Sequence, residues 1–172
     1  AYRELKAAMK THKAKAASAV VLDVKSGEVI AMVNQPSFNP NNRQGLRTSS
    51  MRNRAVTDVF EPGSTMKPFV AAAALESGRY RPDTAISTSP GWYRVGVNTV
   101  RDVHDYGQLD VTGVIRKSSN VGISKIALSL SQESIWELLA DLGFGAQTFS
   151  GFPGEASGLL PHYSGWNAIE TA

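Results

Sequence analysis

The sequence contains no cysteine and no long apolar run. Without cysteine among its 172 residues, disulfides and cysteine-based metal sites are excluded. No stretch approaches the roughly 20 apolar residues that a membrane-spanning helix requires. The histidines, His12, His104 and His162, are scattered without the close spacing of metal ligands. The sequence therefore predicts no metal site and no cofactor.

The chain also carries little net charge. Its formal charge is +3, and 42% hydrophobic with 19% charged residues is ordinary for a globular domain. Lys6, Lys10, Lys13 and Lys15 lie in the opening helical segment without interleaved aromatic side chains. This pattern is typical of a solvated face, so we predict no nucleic-acid partner.

The most informative residues are a serine and a lysine three positions apart, Ser64 and Lys67. Residues 69–75 are apolar and rich in helix formers, and Gly78 follows as a stop, so we expect a helix that begins near Ser64. Residues three apart are neighbours on a helix surface. Lys67 can therefore take the proton of the Ser64 hydroxyl, provided that its amine is neutral part of the time.

The local sequence favours a reactive serine over a simple cap. A bare Ser-x-x-Lys is more often a serine cap beside a solvated lysine. Here the following helix is apolar on every side for two turns, which predicts a buried central helix. Pro62 and Gly63 place Ser64 at the helix start, where N–H groups favour negative charge. Pro68 cannot donate to the Ser64 carbonyl, so we expect a tight or irregular first turn.

A second polar motif, Ser118 to Asn120, lies between two helix-like stretches at residues 111–117 and 121–130. Serine and asparagine favour a turn there because their side chains compete for backbone hydrogen bonds. The Ser118 hydroxyl can relay a proton or hold a leaving group, and the Asn120 amide can bind a substrate amide. Taken alone, the same motif is also typical of a serine that caps a helix and an asparagine in the adjoining turn.

Together, the Ser-x-x-Lys and Ser-x-Asn motifs resemble those of the penicilloyl-serine transferases, which comprise penicillin-binding proteins and serine β-lactamases. Longer runs at residues 51–69, 117–125 and 151–155 are similar to class B penicillin-binding proteins. Within that class they look most like the division-specific transpeptidases of Gram-negative bacteria. The resemblance extends over nearly the whole chain.

The resemblance implies an α/β (α+β) fold with a mainly antiparallel sheet flanked by helices. It implies a serine D,D-transpeptidase that cross-links peptidoglycan through an acyl-serine intermediate. Ser64, Lys67 and Ser118 would be catalytic, and Asn120 would bind substrate. Glu61, three residues before the serine, would line the site, although an acid is also favoured at a helix N-terminus for its charge alone.

Partners and location also follow from the resemblance. The substrates would be peptidoglycan stem peptides ending in D-Ala-D-Ala, and β-lactam antibiotics would mimic them. Divisome proteins and a septal glycosyltransferase would be protein partners. The domain would lie at the periplasmic face of the bacterial inner membrane, held by an N-terminal anchor outside these residues.

The family's third motif, Lys-Thr-Gly or Lys-Ser-Gly after Ser-x-Asn, is missing from these residues. The letters of residues 25–27 match it but precede Ser64, and they are typical of a turn between strands at residues 20–24 and 28–33. We therefore expect residues 1–172 to be the N-terminal portion of a transpeptidase domain. The isolated segment would then be inactive.

Two other functions remain open. A serine β-lactamase is disfavoured because Glu155, near the place of a deacylating glutamate, is not followed by the expected residues. A non-catalytic β-lactam sensor domain would be acylated by β-lactams but would not cross-link stem peptides. The tryptophans, Trp92, Trp136 and Trp166, have no common spacing and fit either core or groove.

The remaining segments are predicted from local patterns. We expect a helix at residues 2–10, a loop at 34–47, an extended region at 82–110, a helix at 132–142, a Gly-rich loop at 143–161 and a helix start near 167.

Overall fold

A helix and a β-hairpin open the chain in the computed structural model, which describes residues 1–42, 44 and 48–172. Helix α1 spans Tyr2–Thr11, and strand β1 (Ala17–Leu22) pairs antiparallel with β2 (Val29–Gln35). The predicted opening helix and hairpin are confirmed. No helix within the described residues is long and apolar enough to cross a bilayer.

The turn of this hairpin contains Lys25, Ser26 and Gly27. The Asp23 carboxylate accepts hydrogen bonds from the backbone N–H groups of Lys25 and Ser26, at 2.9 and 2.8 Å. Gly27 has a φ of +75°, a conformation that glycine adopts without strain. The interpretation of these three residues as a turn is therefore confirmed.

The described residues fall into two compact units, and the hairpin belongs to the first, which comprises Ala1–Val59 with Phe149–Ala156. After β2 come the short helices α2 (Thr48–Met51) and α3 (Arg54–Thr57). Strand β2 takes the first two residues of the loop predicted at 34–47. Residues 36–42 are neither helix nor strand, whereas residues 43 and 45–47 lie outside the described residues.

The second unit, Phe60–Thr148 with Ser157–Ala172, holds the hydrophobic core. Helix α6 (Asn120–Ser129) is central to it, because Ile126 is fully buried and packs with α4 (Lys67–Glu76), α5 (Val111–Lys117) and α7 (Gln132–Asp141). The predicted helix pair and the helix at 132–142 are confirmed to within a residue or two. This core fixes the two segments that carry the polar motifs.

Helix α4 is buried on one side rather than all round. Ala71, Ala73 and Ala74 are buried, whereas Ala72 and Leu75 are exposed. The predicted buried central helix is therefore confirmed for one face only, because the other face is exposed. The reason is that α5, α6 and α7 contact the helix from the side of its buried residues.

Short antiparallel strands form the region predicted to be extended. Strand β3 (Ala85–Ser87) pairs with β6 (Gln108–Asp110), and β4 (Trp92–Val95) pairs with β5 (Asn98–Arg101). With the first hairpin, the described residues combine helices with antiparallel strand pairs, so the predicted α+β class is confirmed.

The C-terminal segment returns to the core of the second unit. A loop without regular structure leads from α7 to a 3₁₀ turn at Tyr163–Gly165 and then to α8 (Ala168–Thr171). Asn167 and Glu170 form a reciprocal capping box at the start of α8. The predicted loop and helix start are confirmed.

Replacing Ile126 by alanine tests whether α6 organises the core. We expect Ile126→Ala to lower the free energy of unfolding by about 2–5 kcal/mol, because the fully buried site cannot collapse around the lost atoms. Leu159→Ala removes as many carbons from a side chain that is 83% exposed, and should cost under about 0.5 kcal/mol. Urea denaturation measures both, and equal costs would contradict the assignment.

Candidate active site

Ser64 lies in a 3₁₀ turn, Gly63–Met66, that leads directly into α4. The backbone N–H of Lys67 donates to the Ser64 carbonyl, three residues back. Pro68 has no N–H to give that carbonyl, so the tighter turn supplies the missing partner. The predicted irregular first turn is confirmed, and it exposes the Ser64 side chain one turn before the amine of Lys67.

Ser118 ends α5 in the left-handed conformation, with φ +53° and ψ +41°. This backbone reverses the chain between α5 and α6, so the Ser118 hydroxyl is presented at the junction. A non-glycine residue in this region carries a steric cost, and such residues cluster at functional sites.

Ser119, the middle residue of the motif, is the cap of α6. Its fully buried hydroxyl accepts from the N–H of Gly122 at 2.8 Å and donates to the Asp102 carboxylate at 2.6 Å. The capping alternative for this motif is therefore right for Ser119. It leaves Ser118 and Asn120 for other contacts.

Asn120 is the first residue of α6, and its amide is held in one orientation. The side-chain NH₂ donates to the carbonyl of Arg101 at 2.8 Å, so the amide oxygen faces Lys67. Its backbone N–H donates to Asp102 at 2.5 Å. Hydrogen bonds therefore hold both the side chain and the backbone of Asn120.

The Lys67 amine joins the two motifs. Its Nζ lies 3.0 Å from Ser64 Oγ, 2.9 Å from Ser118 Oγ, 2.7 Å from the Ser118 carbonyl oxygen and 2.6 Å from Asn120 Oδ1. The structure thus brings together four of the five residues that the sequence singled out, across 51 to 53 positions of the chain.

The chemistry of these four neighbours directs the amine's lone pair. A carbonyl oxygen and the Asn120 amide oxygen are acceptors only, whereas hydroxyls donate and accept. A neutral amine has two N–H bonds, and the two pure acceptors, which are also the closest neighbours, would take them. The single lone pair is then left to accept from one hydroxyl at a time, that of Ser64 or that of Ser118, which is the arrangement that a general base needs.

Burial lowers the pKa of Lys67 below its ordinary value. The side chain is only 8% exposed, and loss of water disfavours its charged form. The nearby Asp102 carboxylate acts in the opposite direction and raises the pKa. The net shift is downward, so the neutral form costs less free energy for Lys67 than for an ordinary lysine.

Asp102 is the site residue that sequence reasoning missed. Besides Ser119 and Asn120, its carboxylate accepts the N–H of Val121 at 3.1 Å, so one side chain fixes the start of α6. Asp102 lies three residues before Asp105, and nothing in the local sequence shows which of the two aspartates belongs to the site. Only the pairing of β4 with β5 and the packing of α6 bring Asp102 to the motif.

A cleft of about 690 Å³ opens beside these residues in the second unit. Glu61 lies on its wall with Ser64, Lys67 and Asn120, and the rest of the lining is mainly apolar, including Val70, Val100, Ile123, Leu139 and Trp166. Within residues 1–42, 44 and 48–172, no group of three or more histidine or acidic side chains is placed to hold a metal ion.

The other residues weighed in the sequence have local roles. Glu155 accepts hydrogen bonds from the backbone N–H and the hydroxyl of Ser150, at 3.1 and 2.6 Å, which is the role of a structural loop acid. Trp136 packs against the ring of His162, and Trp166 lines the cleft, whereas Trp92 is 46% exposed on β4.

A serine hydroxyl and a buried amine on one turn, facing a Ser-x-Asn junction, are the arrangement typical of penicilloyl-serine transferases. The family model described as the penicillin binding protein transpeptidase domain matches residues 17–172. The chain therefore belongs to that family, as its motifs predicted.

Curated relatives are similar along the whole chain. The "Probable peptidoglycan D,D-transpeptidase PenA" of Neisseria flavescens is 47% identical over 172 residues, covering 100% of this chain and 42% of that protein. "Peptidoglycan D,D-transpeptidase FtsI" of Escherichia coli K12 is 47% identical over 171 residues, covering 99% and 29%. The chain thus spans less than half the length of these relatives.

Solved structures agree with the fold. A peptidoglycan glycosyltransferase from Burkholderia ambifaria superposes with a TM-score of 0.87 at 41% identity, covering 98% of this chain and 49% of that one. The apo TP domain of Burkholderia pseudomallei penicillin-binding protein 3 superposes with a TM-score of 0.86 at 40% sequence identity, covering 98% of this chain and 46% of that one. The class B and division-type resemblance predicted from the sequence is confirmed.

The backbone of Ser118 provides a stability test of the site. Alanine and glycine both remove the hydroxyl, but only glycine relieves the left-handed backbone. We expect Ser118→Gly to be more stable than Ser118→Ala by about 0.5–1 kcal/mol, because the left-handed cost exceeds the entropy cost of glycine.

The control is Ser124, which lies inside α6. There the order should reverse, with Ser124→Ala more stable than Ser124→Gly by about 1 kcal/mol, since glycine disfavours helix. Denaturant titration of the four variants measures both differences. The same order at both positions would contradict the strained geometry of Ser118.

Proposed function

We propose that the protein is a serine D,D-transpeptidase that cross-links peptidoglycan stem peptides and is acylated by β-lactams. The observation that carries the proposal is the position of the Lys67 amine, whose Nζ lies 3.0 Å from Ser64 Oγ and 2.7 and 2.6 Å from two pure acceptors, the Ser118 carbonyl and the Asn120 amide oxygen. The names of the relatives support the same reaction.

In the first half of the reaction, Ser64 Oγ attacks the carbonyl carbon of the D-Ala-D-Ala bond while Lys67 Nζ takes its proton. The C–N bond then breaks, and the leaving D-Ala amine receives a proton from Ser118 Oγ, which Lys67 replenishes at 2.9 Å. The product is an acyl ester on Ser64 and free D-Ala.

In the second half, an amine of another stem peptide attacks the ester carbonyl. The amine loses a proton to the same Ser118–Lys67 pair, and Ser64 Oγ leaves and regains its own proton. Water attack would instead hydrolyse the ester. In this scheme the N–H of Ser64, at the start of the 3₁₀ turn, stabilises the negative oxygen in each half.

Asn120 and Glu61 are the proposed substrate-binding residues. The Asn120 amide is fixed at its NH₂ end by the Arg101 carbonyl, so it can orient a peptide bond as well as the lysine. Glu61 lies on the cleft wall three residues before Ser64, where its carboxylate can meet a cationic group of the stem peptide.

The cellular setting is also proposed. Similarity to FtsI and PenA supports action in septal cell-wall synthesis at the periplasmic face of the inner membrane. Divisome proteins and a septal glycosyltransferase are then the expected protein partners.

Two assays separate the proposed enzyme from the alternative functions. Turnover of nitrocefin would indicate a β-lactamase, and failure to cross-link stem peptides would favour a sensor.

Mapping the acylated residue tests the proposed function directly. After incubation of the full-length protein with a penicillin, we expect the adduct on Ser64. Lys67→Ala should slow acylation by about 10²–10⁴-fold, since this is the usual contribution of a positioned base. The control Lys125→Ala alters an amine that contacts the Ser87 carbonyl outside the Ser64 cluster, and should leave the rate nearly unchanged. An adduct elsewhere would refute the assignment.

The charge of Asp102 should tune the pH dependence of acylation. Its carboxylate raises the pKa of Lys67, so Asp102→Asn should lower that pKa further and extend the neutral, reactive amine to lower pH. The acid limb of the acylation rate should move to lower pH, whatever happens to the maximum rate. Asp105→Asn is the matched control, and a limb that moves to higher pH would contradict the prediction.

We further propose that residues 1–172 are the N-terminal portion of a transpeptidase domain whose third motif is supplied elsewhere in the protein. The basis is that the chain spans 42% and 29% of two relatives and contains no Lys-Thr/Ser-Gly after Asn120.

The family resemblance implies that the strand carrying the third motif supplies one N–H of the oxyanion hole, and losing one such donor typically costs about 10²–10³-fold in rate. We therefore expect the 172-residue segment to label with a fluorescent penicillin at least that much more slowly than the full-length protein. Gel fluorescence measures both, and equal labelling would show that the third motif is dispensable.

A further inference from the structure

One surface of the second unit is not used by the proposed reaction: the outer face of the β4–β5 hairpin. The two strands are joined by the two-residue turn of Gly96 and Val97. Gly96 has a φ of +59° at the first central position, as tight hairpin turns require. The turn therefore fixes the register of the hairpin.

That register gathers four side chains on one face. Trp92 lies opposite Arg101, and Arg94 lies opposite Thr99. Cross-strand partners project to the same side, about 4.5–5.5 Å apart at Cβ. All four residues are exposed. We call them the Trp–Arg face.

The opposite side of the hairpin points inward. Val95 is buried, and Val100 lines the cleft that contains Ser64. The Arg101 carbonyl also holds the Asn120 amide. The hairpin is thus a wall of the cleft, and the Trp–Arg face is the outer side of that wall.

The two guanidinium groups carry charge that the described residues do not neutralise. Among those residues, neither Arg94 nor Arg101 forms an ion pair. The nearest acids in the sequence are engaged elsewhere: Asp102 binds the start of α6, and Asp105 accepts from Ser89 Oγ and the Gly107 N–H. The face therefore combines two cations with one half-exposed indole.

This composition suits an anionic glycan-peptide. A guanidinium matches a carboxylate with two parallel hydrogen bonds, and an indole offers a large rigid surface for the apolar side of a sugar ring. Peptidoglycan strands carry both groups, since their stem peptides bear free carboxylates and their backbone is a polysaccharide.

We propose that the Trp–Arg face binds a peptidoglycan strand next to the cleft, through its stem carboxylates and its sugar rings. The identity of the polymer rests on the proposed function, whereas the charge and the geometry of the face do not. Such a contact would hold polymeric substrate beside Ser64 without touching the reacting bond.

The test is co-sedimentation of the full-length protein with purified, insoluble peptidoglycan. Arg94→Gln should weaken binding about threefold, and Trp92→Ala/Arg94→Gln about tenfold, because an exposed ion pair and an aromatic contact each contribute a few-fold. Arg81→Gln and Arg116→Gln remove the same charge from exposed positions outside the hairpin and should bind as wild type does. Unchanged binding by the double variant would overturn the proposal.

A second arm tests the chemistry with unaltered protein. Peptidoglycan whose carboxylates have been amidated should bind at least about threefold more weakly, and the remaining affinity should depend less on salt. Equal binding to amidated and native polymer would overturn the role of the arginines. Preferred binding to vesicles containing anionic phospholipid would overturn the choice of a glycan-peptide.

Labelling by a fluorescent penicillin separates the two proposals. Arg94→Gln should label at the wild-type rate, because a small β-lactam reacts at Ser64 without reaching the outer face. If the wild-type protein is not labelled at all, the transpeptidase proposal is refuted, and co-sedimentation with peptidoglycan can still be measured. Normal labelling with variant-independent polymer binding would refute only the Trp–Arg face.

Discussion

The site depends on one desolvated amine. Lys67 is 8% exposed, and its Nζ meets four polar atoms from the turn before α4 and from the junction of α5 with α6. Removing water lowers the pKa of the amine, and the two carbonyl-type oxygens then determine where its lone pair points. A lysine at the same place on a solvated turn would lack this desolvation and would have no fixed partner.

That arrangement requires a junction that does not move. Asp102 binds the Ser119 hydroxyl and two backbone N–H groups at the start of α6, and Ser118 adopts a backbone conformation that only its surroundings maintain. The same carboxylate that orders the junction also opposes the drop in the lysine pKa. The Asp102 carboxylate therefore orders the junction and at the same time disfavours the neutral form of Lys67.

The β4–β5 hairpin has two sides with different surroundings. Its inner side contributes Val100 to the cleft, and its strand end holds the Asn120 amide, so it positions small groups beside Ser64. Its outer side presents an indole and two guanidiniums without carboxylate partners among the described residues. If both proposals hold, this one hairpin serves a peptide bond on its inner side and a polymer on its outer side.

Features that depend on neighbouring residues were predictable from the sequence. The Ser64–Lys67 pair follows from helical spacing, the tight turn from Pro68, and the first hairpin from a glycine turn between alternating strands. Only tertiary structure decided which aspartate fixes the Ser-x-Asn junction, how the Asn120 amide is oriented and which side of α4 is buried. Those outcomes depend on contacts between distant segments, and such contacts leave no periodic pattern in the sequence.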